Sequence, residues 1–292
     1  MSRSTLIKYL LVGVFVVAFV CALTFLETLK NTLYPSKVSL SKEPIKAIVQ
    51  TGPQKEALKT TYIAELLNLS VDRPTLSHRF NLVKAEKMLL SSPVIASAEV
   101  KLMEPGIVYV DYTTRQPIAF LQDFENTALD TSKTPFPLFP FFSPKKLPEI
   151  YLGVKGSIKW NVPIVGKKID LAYALLKILD GPMTCDLFTL ERVDVSKAFA
   201  NSLGEREIVV MAMDRLYGNV EDREITYCLP RILRLSTKDY VQELGNYLRV
   251  REQLLVKERE TFFADDAEGK LVYGPTKIID CRIPQLAFID EL

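Results

Sequence analysis

Few side chains in this sequence have the type and spacing to do chemistry. The single histidine, His78, follows Asp72, Arg73 and Pro74 in a polar stretch ahead of a helical pattern, which places it on a loop or at a helix start. A lone histidine removes His-rich zinc sites and makes a Ser-His-Asp triad hard to place. Ala264-Asp265-Asp266-Ala267-Glu268-Gly269 brings three carboxylates close to a glycine. It lacks the alternating ligands and distal glutamate of a calcium loop, so it reads as a hairpin turn between polar ends. The cysteines are Cys21, Cys185, Cys228 and Cys281, and Cys21 falls inside an apolar run. The other three are an odd number, so no complete disulfide framework is implied. A Cys185–Cys228 bridge and three small buried thiols are both open readings.

Other reactive patterns are missing. There is no glycine-rich phosphate loop and no G-x-S-x-G elbow. Adjacent carboxylates such as Glu221 and Asp222 look like a solvated loop. No constellation supports an enzyme, and no cofactor or metal is expected. The net charge is +2 with both signs mixed, and no basic run is dense enough for a nucleic-acid footprint. What remains is recognition, so the question passes to the elements and the surfaces they build.

Tyr9 to Leu26 is a run of 18 residues without a charge. As a helix it spans about 27 Å, close to a bilayer core of about 30 Å. It is longer than the core of a cleaved signal peptide, and Ala22-Leu23-Thr24-Phe25 is a poor exit. Phe19 and Val20 likewise do not suit a lipoprotein cleavage before Cys21. An uncleaved transmembrane helix at 9–26 is expected. Lys30, Lys37, Lys42 and Lys46 outnumber Arg3 and Lys8, which locally opposes an inside N-terminus. Long following domains translocate largely regardless of charge, so residues 1–8 are read as cytoplasmic. Residues 27–43, with Pro35, Ser36, Ser39 and Ser41, read as a tether.

Beyond the tether the pattern is α+β. Pro44–Gly52 reads as a strand, Lys55–Leu69 and Leu76–Leu90 as helices, Ala96–Met103 as a strand. Glu104-Pro105-Gly106 is a turn, and Ile107–Gln122 a long strand. Two helices on one face of three strands make a small layered domain over 44–122, which is expected to fold alone. The second domain, 123–292, is read as a mixed β-sheet with two helices, Ile169–Leu179 and Thr237–Leu255. Arg249, Arg251 and Glu252 fall on the expected solvated face of the latter. Its strands are expected at Leu190–Val195, Glu207–Met213, Glu224–Leu229 and Thr276–Ile283. Between the domains, Phe136 to Phe142 holds four phenylalanines and two prolines. It reads either as an irregular cap with its rings buried or as an exposed aromatic patch.

The strand-helix-helix-strand-strand order resembles a POTRA domain, and local residues extend the likeness. Pro93-Val94-Ile95-Ala96-Ser97-Ala98-Glu99-Val100, then Glu104-Pro105-Gly106-Ile107-Val108-Tyr109-Val110, then Arg115-Gln116-Pro117-Ile118-Ala119-Phe120 resemble, in order and spacing, stretches of the FtsQ/DivIB cell-division family. Leu129-Asp130-Thr131, Leu147–Gly153 and the closing Ile278-Ile279-Asp280-Cys281-Arg282 are similar to later landmarks of that family. The chain departs at Val94 and Ile283, where the family has aromatics, at Met103-Glu104 before Pro105, and at Thr114, where it has glutamate. Arg115 also reads simply as the partner of a surface carboxylate.

The resemblance implies a non-enzymatic scaffold of the bacterial division machinery, single-pass in the inner membrane with its bulk extracytoplasmic, at the division site. It implies FtsB-like and FtsL-like bitopic coiled-coil partners and septal peptidoglycan synthases. The partner would add a strand to a sheet edge. The candidate edge is Lys270–Tyr273 and Lys277–Ile283: Leu271, Val272, Tyr273, Ile278, Ile279, Asp280, Arg282 and Ile283. Asp280 and Arg282 would fix register through charge-assisted bonds; the isoleucines read equally well as core. A POTRA-bearing secretion or outer-membrane assembly protein is the alternative, although the sequence carries one such unit and no repeated barrel strands. An anchored extracytoplasmic enzyme is the third class.

Overall fold

The computed structural model describes residues 43–103, 105–181, 184, 186–220, 223–262 and 271–292. Outside them lie residues 1–8, the apolar run 9–26, all of the tether but Glu43, and the Ala264–Gly269 turn. The Glu221–Asp222 pair and Cys185 also lie outside; Cys228, the other half of the bridge reading, is a free thiol. The described chain is mixed α+β. Among the described residues no helix is long and apolar enough to cross a membrane.

A small sheet comes first. Strands β1 (Ala47–Thr51), β2 (Ile95–Met103) and β3 (Ile107–Thr114) lie in the order β1-β3-β2, with β1 parallel and β2 antiparallel to β3. The inward residues of β3 are Val108, Val110 and Tyr112, and they pack with helices α1 (Thr60–Leu66) and α2 (Leu82–Leu90). Gly106 makes the β2–β3 turn at φ +73°, and a Cβ there would sit 2.3 Å from the Pro44 carbonyl oxygen, so glycine is required. The helix expected over Lys55–Leu69 shrinks to α1. Seven residues cannot hold a helix alone; buried Ile63 and Leu67 hold it against the sheet. The helix expected from Leu76 starts at Leu82, because the Asn81 side chain caps it by accepting from the Lys84 N–H at 2.9 Å. His78 lies exposed on the short 3-10 turn Ser77–Arg79 just before it.

The strand expected over Ile107–Gln122 breaks at Thr114. Pro117 cannot donate to a ladder, and it sits in the crossover to a second sheet. That sheet contains β4 (Ala119–Leu121), β5 (Thr127–Leu129), β6 (Pro135–Pro137), β7 (Glu149–Tyr151), β8 (Phe188–Asp194), β9 (Ile208–Val220) and β10 (Arg223–Leu235). It ends in β11 (Leu271–Tyr273), β12 (Lys277–Asp280) and β13 (Phe288–Glu291). The order is β13-β12-β10-β9-β8-β7-β4-β5-β6, with β11 beside β10. Helices α3 (Lys167–Leu179) and α4 (Tyr240–Phe262) cover one face. Leu175 and Leu179 of α3 and Leu244 and Tyr247 of α4 share a core with Val193, Val210, Leu233 and Ile279.

The far edge of this sheet is blocked. In β6 the residues paired toward β5 alternate with outward ones, since Leu138 N–H donates to Asn126 and Asp130 N–H to Thr134. Outward positions therefore fall on Pro135 and Pro137, neither of which has an N–H.

The two sheets do not keep separate cores. Phe136, Leu138 and Phe142 are buried in the core of the small sheet, with Tyr62 and Phe141 ring centroids 5.0 Å apart. Of the two readings of the aromatic run, the buried cap holds; Phe139 alone is well exposed. The 44–122 segment thus lacks part of its own core. Polar clamps reinforce the seam. The Glu56 carboxylate accepts from the Ser143 hydroxyl at 2.5 Å and Lys145 Nζ at 2.7 Å. Arg115 donates to the Pro93 carbonyl, Asp130 and Asn161, and Asn161 in turn donates to the Leu90 and Ser91 carbonyls at the end of α2. Arg115 does pair with a carboxylate, but a largely buried one.

A buried ion network docks α4. Asp214 on β9 is fully buried and accepts from Arg231 Nε at 3.0 Å and Arg251 Nε at 2.7 Å. Arg231 also donates to Glu258, which Lys277 Nζ approaches at 2.8 Å. Arg251 therefore leaves the solvated face expected for it, because Asp214 opposite supplies the charge that makes its burial tolerable. Arg249 and Glu252 are exposed as expected.

Candidate partner-binding edge

The closing strands carry the candidate residues, and the structure rearranges their roles. β12 is not an edge. It pairs in parallel with β10 (Ile278 beside Ile232, Asp280 beside Arg234) and antiparallel with β13 on its other side (Ile279 beside Ile289). Ile279 is fully buried in the main core; Ile278 is half-buried. The expectation of an open edge along Lys277–Ile283 fails because the chain turns back after Ile283 and adds β13.

Asp280 and Arg282 pair with each other: Arg282 Nη2 reaches Asp280 Oδ2 at 2.6 Å. Arg234 approaches the same carboxylate at 3.4 Å and donates to Glu207 at 2.6 Å. Burial alone would raise the Asp280 carboxyl. The Arg282 hydrogen bonds and the charges of Arg282 and Arg234 outweigh it and hold the group below the ordinary carboxylate range. The hydrogen bond that Arg282 donates to Asp280 is also the main reason that Arg282 is pushed above its ordinary value. These charges are committed inside the chain, and they fix the β10–β12 register rather than a partner's. Between them, burial pushes the Cys281 thiol up to about 11, with Glu243 and Asp280 adding to the effect. It stays a neutral, unreactive thiol. Cys228 is free and buried too.

Leu271, Val272 and Tyr273 form β11, which runs parallel to β10 ahead of the start of β12. Leu271 and Tyr273 are exposed, while Val272 packs on the small cluster of Leu216, Ile225, Tyr227 and Leu229. Ile283 is exposed at the start of the turn.

The residues that sequence reasoning missed are those of β13. Leu292 N–H donates to the Thr276 carbonyl at 3.0 Å, which sets the phase of the ladder. Residues 288, 290 and 292 then bond toward β12, and Ile289 and Glu291 face outward with no strand beyond among the described residues; the Glu291 N–H donates to the Asp290 side chain, and the Ile289 N–H is left open. Phe288 and Ile289 are each about half exposed, at 56% and 45%, with Leu286 and Leu292 beside them. A groove of about 420 Å³ opens next to this strand, lined by Arg206, Lys238, Asp280, Arg282, Ile283 and Phe288. The strand has only four residues and its Phe-Ile-Asp-Glu sequence does not alternate, so no period-2 signal marked it. The arrangement can do one thing chemically: offer unpaired backbone groups flanked by apolar side chains to an extended segment.

No protein-family model matches the chain, and no curated protein matches it significantly.

Proposed function

We propose that the chain is a non-enzymatic assembly scaffold of the bacterial division machinery, similar to the FtsQ/DivIB proteins. Residues 9–26 anchor it in the inner membrane, residues 1–8 stay in the cytoplasm, and the described domains work outside it. Its partners are FtsB-like and FtsL-like bitopic proteins and septal peptidoglycan synthases. The observation that carries this reading is the outer edge of β13, where the Ile289 N–H has no partner among the described residues and lies between exposed Phe288 and Leu292, while the Glu291 N–H donates to the Asp290 side chain at 2.9 Å. A partner strand docks there by edge pairing, which supplies affinity through main-chain bonds and specificity through the side chains on either side. The order of a small two-helix, three-strand unit followed by a larger sheet also agrees with the family's landmarks.

The test is Ile289→Pro against Ile289→Ala, with binding to an FtsB-like extracytoplasmic segment measured by calorimetry. The proline deletes an N–H that the fold itself leaves unused, so the melting temperature should stay near the parent's while binding falls at least about tenfold, roughly 1.4 kcal/mol. Full binding by a folded Ile289→Pro chain would remove edge pairing at β13.

A further inference from the structure

Between β7 and α3 the chain runs for fifteen residues, 152–166, with no helix or strand. Loops of that length without structure of their own are uncommon in compact domains and are usually functional. This one is held firmly. The Asp123 carboxylate accepts from the Leu152 and Val154 N–H groups at 2.7 and 2.5 Å, Lys168 Nζ donates to the Leu152 carbonyl, and Asn161 ties the middle of the loop to the end of α2. Ile158 and Ile164 tuck into the main core. Leu152 is buried with them, whereas Val154, Trp160, Val162 and Val165 turn outward, the last 90% exposed. Trp160 is the only tryptophan of the chain.

Charge is one-sided here. From Ile150 to Ile169 there are four lysines and no acidic residue. Lys155 and Lys159, five residues and one residue before Trp160, are exposed. The nearby carboxylates are occupied, Asp123 by the loop's own N–H groups and Asp170 by Lys133 at 2.5 Å.

We propose that this loop is a contact surface for an anionic phospholipid bilayer. Lysines beside an exposed indole and branched aliphatics match a lipid interface. The indole sits among headgroups with its N–H wet, the valines reach toward the acyl boundary, and the ammonium groups meet phosphate. The attraction acts within a Debye length of the charged surface. An acidic protein would satisfy the lysines but would leave no use for an outward Val165 and Trp160 on a rigid, carboxylate-free loop. Contact at this loop lays the molecule along the membrane, because it sits at the seam beside the end of α2 and Arg115, at the other end of β3 from Lys46, whose N–H donates to the Gly106 carbonyl. The inference stands independently of strand docking at β13.

Because Trp160 is the sole tryptophan, it reports on itself. The full chain is reconstituted into vesicles of phosphatidylcholine with or without phosphatidylglycerol, each also prepared with brominated acyl chains. The expected result is a blue shift and loss of Trp160 emission by bromine quenching in the anionic vesicles. Both should disappear at about 1 M salt, where the Debye length is about 3 Å. Both should also disappear in the Lys155→Glu/Lys159→Glu chain, with Lys155→Gln/Lys159→Gln as a milder pair and a thermal melt to confirm folding. Equal quenching in neutral and anionic vesicles would overturn recognition of anionic lipid. Absence of quenching in both, with the loop left to bind an acidic protein or nothing, would overturn the proposal altogether.

Discussion

Arg115 Nη1 stands 2.6 Å from Asp130 Oδ2, with both side chains almost closed to solvent. One residue leaves the last strand of the small sheet and the other turns the β5–β6 hairpin, so this ion pair joins the two sheets, as Glu56–Lys145 does elsewhere on the seam. The same guanidinium holds the Pro93 carbonyl and Asn161. Arg115→Ala leaves Asp130 without its cation and should cost about 3 kcal/mol in urea unfolding. Arg115→Lys should recover only a fraction, since a point charge cannot serve three acceptors in fork geometry. A lysine variant as stable as the parent would reduce the residue to simple charge.

Asp130 also predicts an acid limb. Burial would raise its carboxyl, but Ser132, the Thr134 N–H and Arg115 together hold it below the ordinary value. With the folded value below the unfolded one, the ionised group contributes stability above the unfolded pKa, about 4, and that contribution is lost as pH falls through the folded value. The melting temperature of the parent should therefore fall as pH drops below about 4. Asp130→Asn should start lower at neutral pH and show a shallower decline. Parallel acid limbs in the two chains would remove Asp130 as their source.

Helix α4 should depend on its buried charges. Asp214→Ala strands Arg231 and Arg251 inside the fold and should cost about 3–5 kcal/mol. Amide exchange along α4 should accelerate. Arg249→Ala, on the wet face of the same helix, should stay within about 0.5 kcal/mol. Similar losses at both positions would mean that helix burial, not the network, sets the cost.

A fragment of residues 44–122 should fail to melt cooperatively, because Phe136, Leu138 and Phe142 of its core lie outside it. The same segment within 44–292 should melt in one transition. Circular dichroism of the two chains decides the matter, and a sharp independent transition in the short fragment would restore a self-sufficient domain.

Periodicity carried much of the fold. The apolar spacing of Leu171, Leu175, Ile178 and Leu179 marks α3, and the strands at β8, β9 and β10 are found, although β9 and β10 run longer than their apolar stretches suggest. What escapes is what depends on distant partners. Arg251 and Glu258 look like solvated charges until Asp214 and Arg231 are placed opposite them. Pro117 announces a break in pairing, yet only the sheet order shows that Ala119–Leu121 changes sheets. The candidate edge failed for a similar reason: Ile279, Asp280 and Arg282 form a strand whose neighbour is a four-residue segment without pattern. An Arg282→Glu change is consequently expected to weaken the fold as well as any docking.

The two prolines of β6 set a limit on assembly. With no outward N–H at Pro135 or Pro137, one end of the ten-stranded sheet cannot host a neighbour, while the opposite end at β13 can. The row that runs from β6 to β13 can therefore grow only at its β13 end; β11, paired with β10 alone among the described residues, lies off that row. Copies cannot stack head to tail into a fibre through β6 and β13, and a guest strand added at β13 becomes the end of that row.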